Sequence, residues 1–355
     1  MTIRAVRIAR RSLGAAVLAI CTASALAAVP AEQQAIVQSG YGGPEVLKLQ
    51  TIPVLQPGSG QVLIQVYAAA VNPTDWKMRE GNSQAAGTPS ERVPGLDVAG
   101  VIAKVGAGVS ALKEGQAVFS MLGRGAVSGL NGGYSHYVIA PAERVAPKPK
   151  NVSFAEAAGL GVAAMTGART VDLAKVSKRQ RVLITGIAGG VGSAAAQVAL
   201  VQGAYVVGTA SPRHAAYLKS IGVKEVVDYT QGDWSDKVKE ADVVIDTVGG
   251  DSALTAFNAV KKGGTFVTVA SRDITAEKCV SAGIHCPAAG PPGSNSIPEA
   301  ELMKQVADLV TRGKFKTHVD KSFPLAQAAD AQEYNRAGHT EGKVVLIVTP
   351  QASRK

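Results

Sequence analysis

Residues 181–193 read RVLITGIAGGVGS. An apolar run leads directly into glycines spaced three residues apart, and an alanine-rich run that predicts a helix from about Val191 follows them. A strand, a glycine turn and a helix in this order are typical of a parallel α/β sheet. Glycines at such a turn let the backbone approach a phosphate, which the N–H groups at the helix start stabilise. We therefore interpret the stretch as a dinucleotide-binding loop, with a bare structural turn as the alternative. The predicted cradle comprises Gly186, Ala188, Gly189, Gly190, Val191 and Gly192.

The second half of the chain continues this alternation. From about residue 151, β-branched runs alternate with helical stretches, which predicts a doubly wound parallel sheet with helices on both faces. The runs are residues 181–185, 205–208, 225–228, 243–246, 265–269 and, near the C-terminus, 343–348. The proline- and glycine-rich residues 283–298 predict a loop.

Residues 32–150 follow a different hydrophobic pattern, in which short alternating apolar segments lie between glycines and prolines. Segments of this kind predict a twisted β domain. They include residues 61–66, 98–102 and 134–139. A chain of 355 residues with 46% hydrophobic residues, 18% charged residues and 39 glycines is typical of a compact α/β protein of about two domains.

The first 28 residues predict an export signal. They contain four arginines and no acid, then a run of small and apolar residues that ends in the A-x-A site Ala25-Leu26-Ala27. Arg10-Arg11 loosely resembles a twin-arginine signature. We expect a periplasmic or secreted protein without a stable membrane span after cleavage; a mitochondrial presequence and an uncleaved membrane anchor are the alternatives.

The charge distribution and the cysteine content limit the class of binding partner and the redox state of the cysteines. Loss of the four signal arginines would lower the formal charge from +10 to +6, and the remaining surplus is scattered rather than gathered in a stripe, so we expect no nucleic-acid partner. Beyond the signal, the cysteines are Cys279 and Cys286. In an oxidising compartment they could form a disulfide, and two free thiols are the alternative.

The end of the strand after the glycine loop indicates which dinucleotide binds. An acidic side chain roughly 20 residues beyond the glycines would bind the ribose 2′-hydroxyl of NAD. Residues 206–214 contain no acid, whereas Ser211 and Arg213 can donate hydrogen bonds to a 2′-phosphate. This favours NADPH, unless Arg213 merely solvates a helix start.

Six strings resemble those of the medium-chain dehydrogenase/reductase superfamily. They are residues 72–81 (NPTDWKMREG), 94–100 (PGLDVAG), 132–135 (GGYS), 186–192 (GIAGGVG), 211–214 (SPRH) and 339–346 (HTEGKVVL). They are most similar to the zinc-independent quinone oxidoreductase branch, with its alkenal and enone reductases, over residues 32–349. The resemblance implies a GroES-like domain (32–150), a Rossmann domain (151–300), a C-terminal segment (301–355) that returns to both, a cleft between them and a homodimer.

The resemblance also implies site residues. It places Asn72 on the acceptor side, where Asn72 would bond the acceptor oxygen or the nicotinamide ribose. In the same string Asp75 could bond the cofactor or position Lys77, and Lys77 could supply a proton or positive charge to an enolate. Loop cap, helix N-cap and solvated lysine are the structural alternatives for these three. The resemblance further implies cofactor contacts at Thr166 and Tyr229, and Lys343 of the string 339–346 is another predicted contact. Thr247, Val248, Val269 and Ala270 are predicted contacts because they end strands at the face where doubly wound folds bind ligands. An ordinary structural role remains open for these residues.

Zinc catalysis is not expected from these residues. In the zinc-dependent branch, catalytic zinc is held by cysteine, histidine and a further cysteine or carboxylate, with one position open. Where the zinc-dependent branch has its first cysteine this chain has Asn72, and where that branch has Gly-His-Glu it has Gly95-Leu96-Asp97. The four-cysteine structural lobe is also missing from the sequence.

The sequence thus predicts an NADPH-dependent oxidoreductase. Hydride transfer without a metal would reduce a quinone or an α,β-unsaturated carbonyl, and the protein would position the acceptor and stabilise the developing oxyanion. Since a fold does not define an activity, a non-catalytic NADPH-binding or interaction protein is the alternative.

Overall fold

The computed structural model describes residues 28–82, 91–123, 127–232, 234–287 and 297–349. The predicted export signal therefore lies, apart from Ala28, outside the described residues. Within these ranges the strands are β1 Glu32–Gln38, β2 Leu47–Pro53, β3 Gln61–Val71, β4 Asp97–Val105, β5 Ala117–Met121, β6 Tyr137–Pro141, β7 Val145–Pro147, β8 Arg181–Ile184, β9 Tyr205–Ala210, β10 Glu225–Asp228, β11 Ala241–Asp246, β12 Val260–Thr268, β13 Val319–Pro324 and β14 Lys343–Ile347. The α-helices there are α1 Pro73–Arg79, α2 Phe154–Ala158, α3 Val162–Leu173, α4 Gly190–Val201, α5 Ala215–Ser220, α6 Gly250–Asn258, α7 Ala276–Ala282, α8 Glu299–Thr311 and α9 Ala328–Arg336. No helix in this part of the chain is long and apolar enough to cross a bilayer.

The first sheet confirms the predicted twisted β domain. Its strands run in the order β13-β14-β3-β4-β5-β7, and β6 pairs with the first half of β3. All pairs are antiparallel except β13 with β14. The long strand β3 ends at Val71, so that Asn72 and α1 follow directly at the end of a central strand.

The second sheet is the predicted doubly wound parallel sheet, in the order β10-β9-β8-β11-β12. Successive residues of a strand point to opposite faces, and β8 shows the result. Val182 and Ile184 pack in the same core as α3 and α4, whereas Leu183 packs with α6 residues on the other face. Helices therefore cover both faces.

One strand assignment from the sequence is wrong. Residues 343–348 follow the same β-branched pattern as the parallel strands, but β14 pairs antiparallel with β3 and parallel with β13 in the first sheet. The pattern reflects burial on both faces, which both sheets provide, and does not specify the partner strand. The C-terminal part of the chain first packs α8 against α3 and then returns to the first sheet through β13, α9 and β14.

A disulfide closes the edge of the parallel sheet. Cys279 of α7 is bonded to Cys286, so the structure contains the first of the two cysteine alternatives. Between them, the His285 N–H donates to Gly264 O (2.9 Å), and its carbonyl accepts from Phe266 N (2.8 Å). The described part of the predicted loop thus covers the open side of β12, where unpaired backbone groups would otherwise be exposed.

We expect the disulfide to stabilise the parallel-sheet unit. Cross-linking two residues seven positions apart restricts the unfolded chain, which in the chain-entropy view is worth about 2–3 kcal/mol. Dithiothreitol should therefore lower the thermal unfolding midpoint of the wild-type protein. The matched control is the Cys279→Ser/Cys286→Ser double variant, whose midpoint should already be lower and should not respond to the reductant. Two free thiols in mass spectrometry of the unreduced protein would contradict the bond.

Candidate functional site

The glycine loop follows β8 and requires its glycines. Gly186 has φ +60°, and a Cβ there would lie 2.9 Å from Thr247 Oγ1. A Cβ on Gly192 would lie 2.4 Å from Gly186 O. Helix α4 begins at Gly190, with Gly189 as its N-cap. The glycines of the loop therefore leave space for a ligand at the positive end of a 12-residue helix, as an anion site requires.

Asp246 fixes the strand ends beside this cradle. Its fully buried carboxylate accepts hydrogen bonds from the hydroxyls of Thr185 and Thr268, both at 2.7 Å. It also accepts from Val248 N and Gly249 N at 3.2 Å. One side chain thus joins the carboxyl ends of β8, β11 and β12. The sequence placed Asp246 at the end of a predicted strand on the ligand-binding face but did not predict its role in joining the strand ends.

The predicted cofactor residues gather at this edge of the sheet. Because the strands are parallel, the residues that follow their carboxyl ends meet on one side. Thr247 and Val248 follow β11, Val269 and Ala270 follow β12, and Tyr229 follows β10. Val248 is 55% exposed and Val269 39% exposed, which leaves apolar surface at the edge where ligands bind.

Thr166 lies on α3, one residue before a tight helix contact. A Cβ on Gly167 would lie 2.6 Å from Ala195 N, so α3 packs directly onto α4. Thr166 itself is only partly buried. The contact sets its distance from the helix that the glycine loop begins.

The end of β9 carries a serine and an arginine rather than an acid. Ser211 Oγ is buried and has no hydrogen-bond partner among the described residues. The exposed Arg213 guanidinium donates from Nε to His214 Nε2 (3.1 Å) and from Nη2 to the carbonyl of His339 (2.5 Å). A buried hydroxyl without a partner is unfavourable, and a bound acceptor at Ser211 would remove that cost.

A buried polar cluster lies where the two sheets meet. Lys343 Nζ donates to Asn72 Oδ1 (2.6 Å) and to Val71 O (2.9 Å). Asn72 Nδ2 donates to Asp97 Oδ2 (2.9 Å), and Asp97 Oδ1 accepts from Val162 N (2.9 Å) at the start of α3. The cluster therefore connects β14, the end of β3, β4 and α3.

Burial changes the protonation equilibria of this cluster. Loss of solvation raises the pKa of Asp97 to about 6, and the Lys343 ammonium and the Asn72 amide offset part of that rise. Burial lowers the pKa of Lys343 from its usual value, while Asp97 and Asp75 act in the opposite direction. A carboxylate and an ammonium are thus held together where neither has water.

Asp75 caps α1 and belongs to the same buried region. Its Oδ2 accepts the Asn72 N–H (2.8 Å) and the Tyr134 hydroxyl (2.9 Å). Desolvation raises the pKa of Asp75 to about 6. Lys77, in contrast, is exposed and lies over the Trp76 ring, 5.4 Å from its centroid. The structure brings Asn72 and Asp75 together but leaves Lys77 outside, so Asp75 does not position Lys77.

The partners of Asn72 and Asp75 include residues that the sequence did not assign to the site. Asp97 entered only as a replaced zinc ligand, and Tyr134 only as part of the string GGYS. Both positions are fully buried, at 0% exposure, and both are polar. Their occurrence in the strings that carry the family resemblance was the signal that could have identified them.

A surface depression lies outside this site. It has a volume of about 610 Å³, and Arg181 and Tyr205, the first residues of β8 and β9, line it. It is therefore at the amino-terminal edge of the parallel sheet, opposite the glycine loop, and takes no part in the site.

Comparisons with known proteins agree with this geometry. A family model described as alcohol dehydrogenase GroES-like domain matches residues 58–150, and one described as zinc-binding dehydrogenase matches residues 221–346. The NADPH-dependent alkenal/one oxidoreductase of Arabidopsis thaliana is 36% identical over 91% of this chain and 82% of the relative. The quinone oxidoreductase of Mus musculus is 32% identical over 87% of this chain and 96% of the relative.

The chain belongs to the medium-chain dehydrogenase/reductase superfamily, in its quinone and alkenal/enone oxidoreductase branch. A solved quinone oxidoreductase from Coxiella burnetii superposes with a TM-score of 0.78 at 30% identity, covering 90% of this chain and all of that one. The predicted combination of a GroES-like and a Rossmann-type domain is confirmed. This dehydrogenase/reductase is thus an oxidoreductase, and its cofactor is a nicotinamide dinucleotide.

We expect Asp75→Asn to become progressively more stabilising as the pH rises. The asparagine oxygen can still accept from Asn72 N and from Tyr134, but the side chain no longer titrates. Because the pKa of Asp75, about 6, lies above its ordinary value of 3.8, its contribution to stability is complete below 3.8 and is lost as the pH rises through 6. The free energy of unfolding of the variant, relative to that of the wild type, should therefore rise by up to about 3 kcal/mol between about pH 4 and pH 7. Urea unfolding at several pH values measures the difference, and a difference independent of pH contradicts the raised pKa.

Proposed function

We propose that this oxidoreductase uses NADPH to reduce a quinone or an α,β-unsaturated carbonyl, and that it does so without a metal. The observation that carries the cofactor choice is the buried, unpartnered Ser211 Oγ, two residues before the exposed Arg213. Support for the acceptor class comes from the relatives, whose names describe alkenal/one, 2-methylene-furan-3-one and quinone reduction.

The residues present fit NADPH. The glycine cradle and the N-terminus of α4 suit a pyrophosphate, and β9 ends in Thr209-Ala210 with no acid to bind a 2′-hydroxyl. A 2′-phosphate would accept from Ser211 and from the N–H groups of Arg213 that His214 and His339 leave free. Such charge-assisted bonds are about twice as strong as neutral ones.

The residues present do not fit a catalytic zinc ion. The positions that correspond to the ligands of the zinc-dependent branch hold Asn72, Leu96 and Asp97, and the polar two are already bonded to each other. The Lys343 ammonium donates to Asn72 Oδ1, so a cation already occupies the polar pocket. Within the described residues, no group of three or more histidine, cysteine or acidic side chains is arranged to hold a metal ion.

The chain would act mainly by binding and orienting. When bound, the reduced nicotinamide supplies the hydride. The bond from Asp97 to Val162 N joins the first sheet to α3, and Asn72 links Asp97 to Lys343. A fixed junction of this kind would help to orient the reactants, and orientation accounts for much of the rate in such transfers. A Cβ on Gly190 would lie 2.9 Å from Lys343 Cδ, so the lysine packs against the first turn of α4 and adds positive charge near the cradle.

The three predicted acceptor-side residues, Asn72, Asp75 and Lys77, differ in the roles that we propose. Both polar ends of the Asn72 side chain are already hydrogen-bonded, and Nδ2 donates both to Asp97 Oδ2 and to Ala70 O (3.5 Å), so Asn72 serves to position its neighbours. Asp75 supports it through the Asn72 backbone N–H. Lys77 is exposed and receives no role in this proposal.

Turnover of purified protein tests the function. We expect nicotinamide absorbance at 340 nm to fall when NADPH is incubated with a panel of quinones and enones, and we expect NADH to be used less well. Turnover would identify the acceptor class. Tight NADPH binding without turnover of any acceptor would overturn the reductase and support the non-catalytic alternative, for which the relatives give no support.

We also propose export, because the first 28 residues carry arginines, an apolar run and an A-x-A site. Fusion of residues 1–32 to a reporter that must fold before transport should direct the reporter out of the cytoplasm. Changing Arg10 and Arg11 to lysine should then stop transport if the twin-arginine route is used. Unchanged transport would reject that route, and a mitochondrial location would favour the presequence.

A further inference from the structure

Arg213 is not a free surface arginine. It is the last member of a row of hydrogen-bonded side chains that also contains His214 and Glu341. We propose that His214 and Glu341 are positioning residues that hold the Arg213 guanidinium ready for the 2′-phosphate, so that discrimination between NADPH and NADH depends on all three. This proposal rests on the NADPH assignment and adds specificity-determining residues to it.

His214 occupies the centre of this row. Its side chain is only 8% exposed, and it lies between Arg213 Nε at 3.1 Å from Nε2 and Glu341 Oε2 at 2.9 Å from Nδ1. Arginine is always protonated and can only donate. His214 Nε2 must therefore accept, and Nδ1 must carry the proton that is donated to Glu341. The partners thus select one neutral tautomer of His214 and one orientation of its ring.

Glu341 anchors the other end. Its second oxygen lies 3.3 Å from His318 Nε2, and the next residue, Gly342, donates its N–H to Ala188 O of the glycine loop (2.8 Å). A Cβ on Gly342 would lie 2.4 Å from His318 O, so this backbone is tightly packed. Glu341 is therefore held in place on two sides and can orient His214.

The hydrogen bonds to His214 and to the His339 carbonyl orient the Arg213 guanidinium but do not use all of its N–H groups. His214 takes the Nε–H and His339 O takes one N–H of Nη2. Three of the five guanidinium N–H groups remain for a ligand. They lie two residues beyond Ser211, whose buried Oγ lacks a partner. Both donors thus follow β9 at the edge of the sheet where ligands bind.

Pre-orientation has a measurable value for such a side chain. A free arginine has many rotamers, and ordering one on binding costs affinity. In this protein the ordering is already present, because His214 and His339 hold the guanidinium from two sides. Loss of the His214 acceptor should therefore weaken binding of the ligand that contacts Arg213 and leave other ligands unaffected.

Two substitutions at one position separate the contacts. The amide of His214→Asn takes the place of Nδ1 and keeps the bond to Glu341, but it loses the acceptor for Arg213. The amide of His214→Gln reaches the place of Nε2 and keeps that acceptor. Both replace the same nearly buried ring by an amide, so each controls for the packing change in the other. Glu341→Ala and Glu341→Gln form a second pair, in which only Gln keeps an oxygen for the His214 N–H.

Dissociation constants for NADPH and NADH, measured by titration of each purified variant, test the proposal. We expect His214→Asn and Glu341→Ala to weaken NADPH by about three- to tenfold, with NADH changed less than about twofold. Glu341→Gln should stay within about twofold of the wild type for both cofactors, and His214→Gln, which keeps the acceptor but loses the bond to Glu341, should weaken NADPH no more than Glu341→Ala does. Arg213→Ala is the reference and should weaken NADPH by about tenfold or more.

The possible failures differ in meaning. If Arg213→Ala weakens NADPH selectively but neither His214→Asn nor Glu341→Ala does, the proposed positioning role is wrong and the NADPH assignment stands. If these variants weaken NADPH and NADH equally, His214 and Glu341 have only a structural role. If Arg213→Ala itself affects both cofactors alike, the 2′-phosphate assignment fails, and the positioning role fails with it.

Discussion

The buried ammonium of Lys343 is the contact on which the polar cluster at the junction of the two domains depends. It comes from the C-terminal strand β14 and bonds Val71 O and Asn72 Oδ1 at the end of β3, while Asn72 bonds Asp97 of β4. A charged group out of water costs several kcal/mol unless it is paired and hydrogen-bonded. Any movement of β14 against β3 would break these bonds without water to replace them. Asp97 extends the same constraint to α3 of the parallel-sheet domain through Val162 N.

This constraint extends toward the cofactor site through a short stretch of chain. Gly342, the residue before Lys343, donates to Ala188 O in the glycine loop, and Glu341 contacts His214 beside Arg213. Five consecutive residues, 339–343, therefore touch the Arg213 region, the glycine loop and the junction between domains. The segment belongs to neither sheet until β14 begins.

Much of the fold could be predicted because its signals are local. The βα unit is predicted from 13 consecutive residues, 181–193. The alternation of β8 side chains between the two faces of the sheet follows from strand periodicity. Strand β14 could not be assigned in this way, since a run of buried β-branched residues looks the same in either sheet. Lys77 illustrates the same limit at the site. Residues two apart on a helix point about 200° away from each other, so a helical Asp75 that faces the core leaves Lys77 facing solvent.

What the sequence by itself determined is the chemistry available at each strand end: glycines that a phosphate can approach, Ser211 and Arg213 in place of an acid, and Asn72 and Asp97 in place of zinc ligands. Only the tertiary structure decided how these groups are paired. Cys279 and Cys286 were compatible with either redox state until α7 and the edge of β12 brought them together. Lys343 became a partner of Asn72, 271 positions away, and Glu341 a partner of His214, 127 positions away. Pairings of this kind depend on the path of the chain between sheets, and no local pattern of residues contains that path.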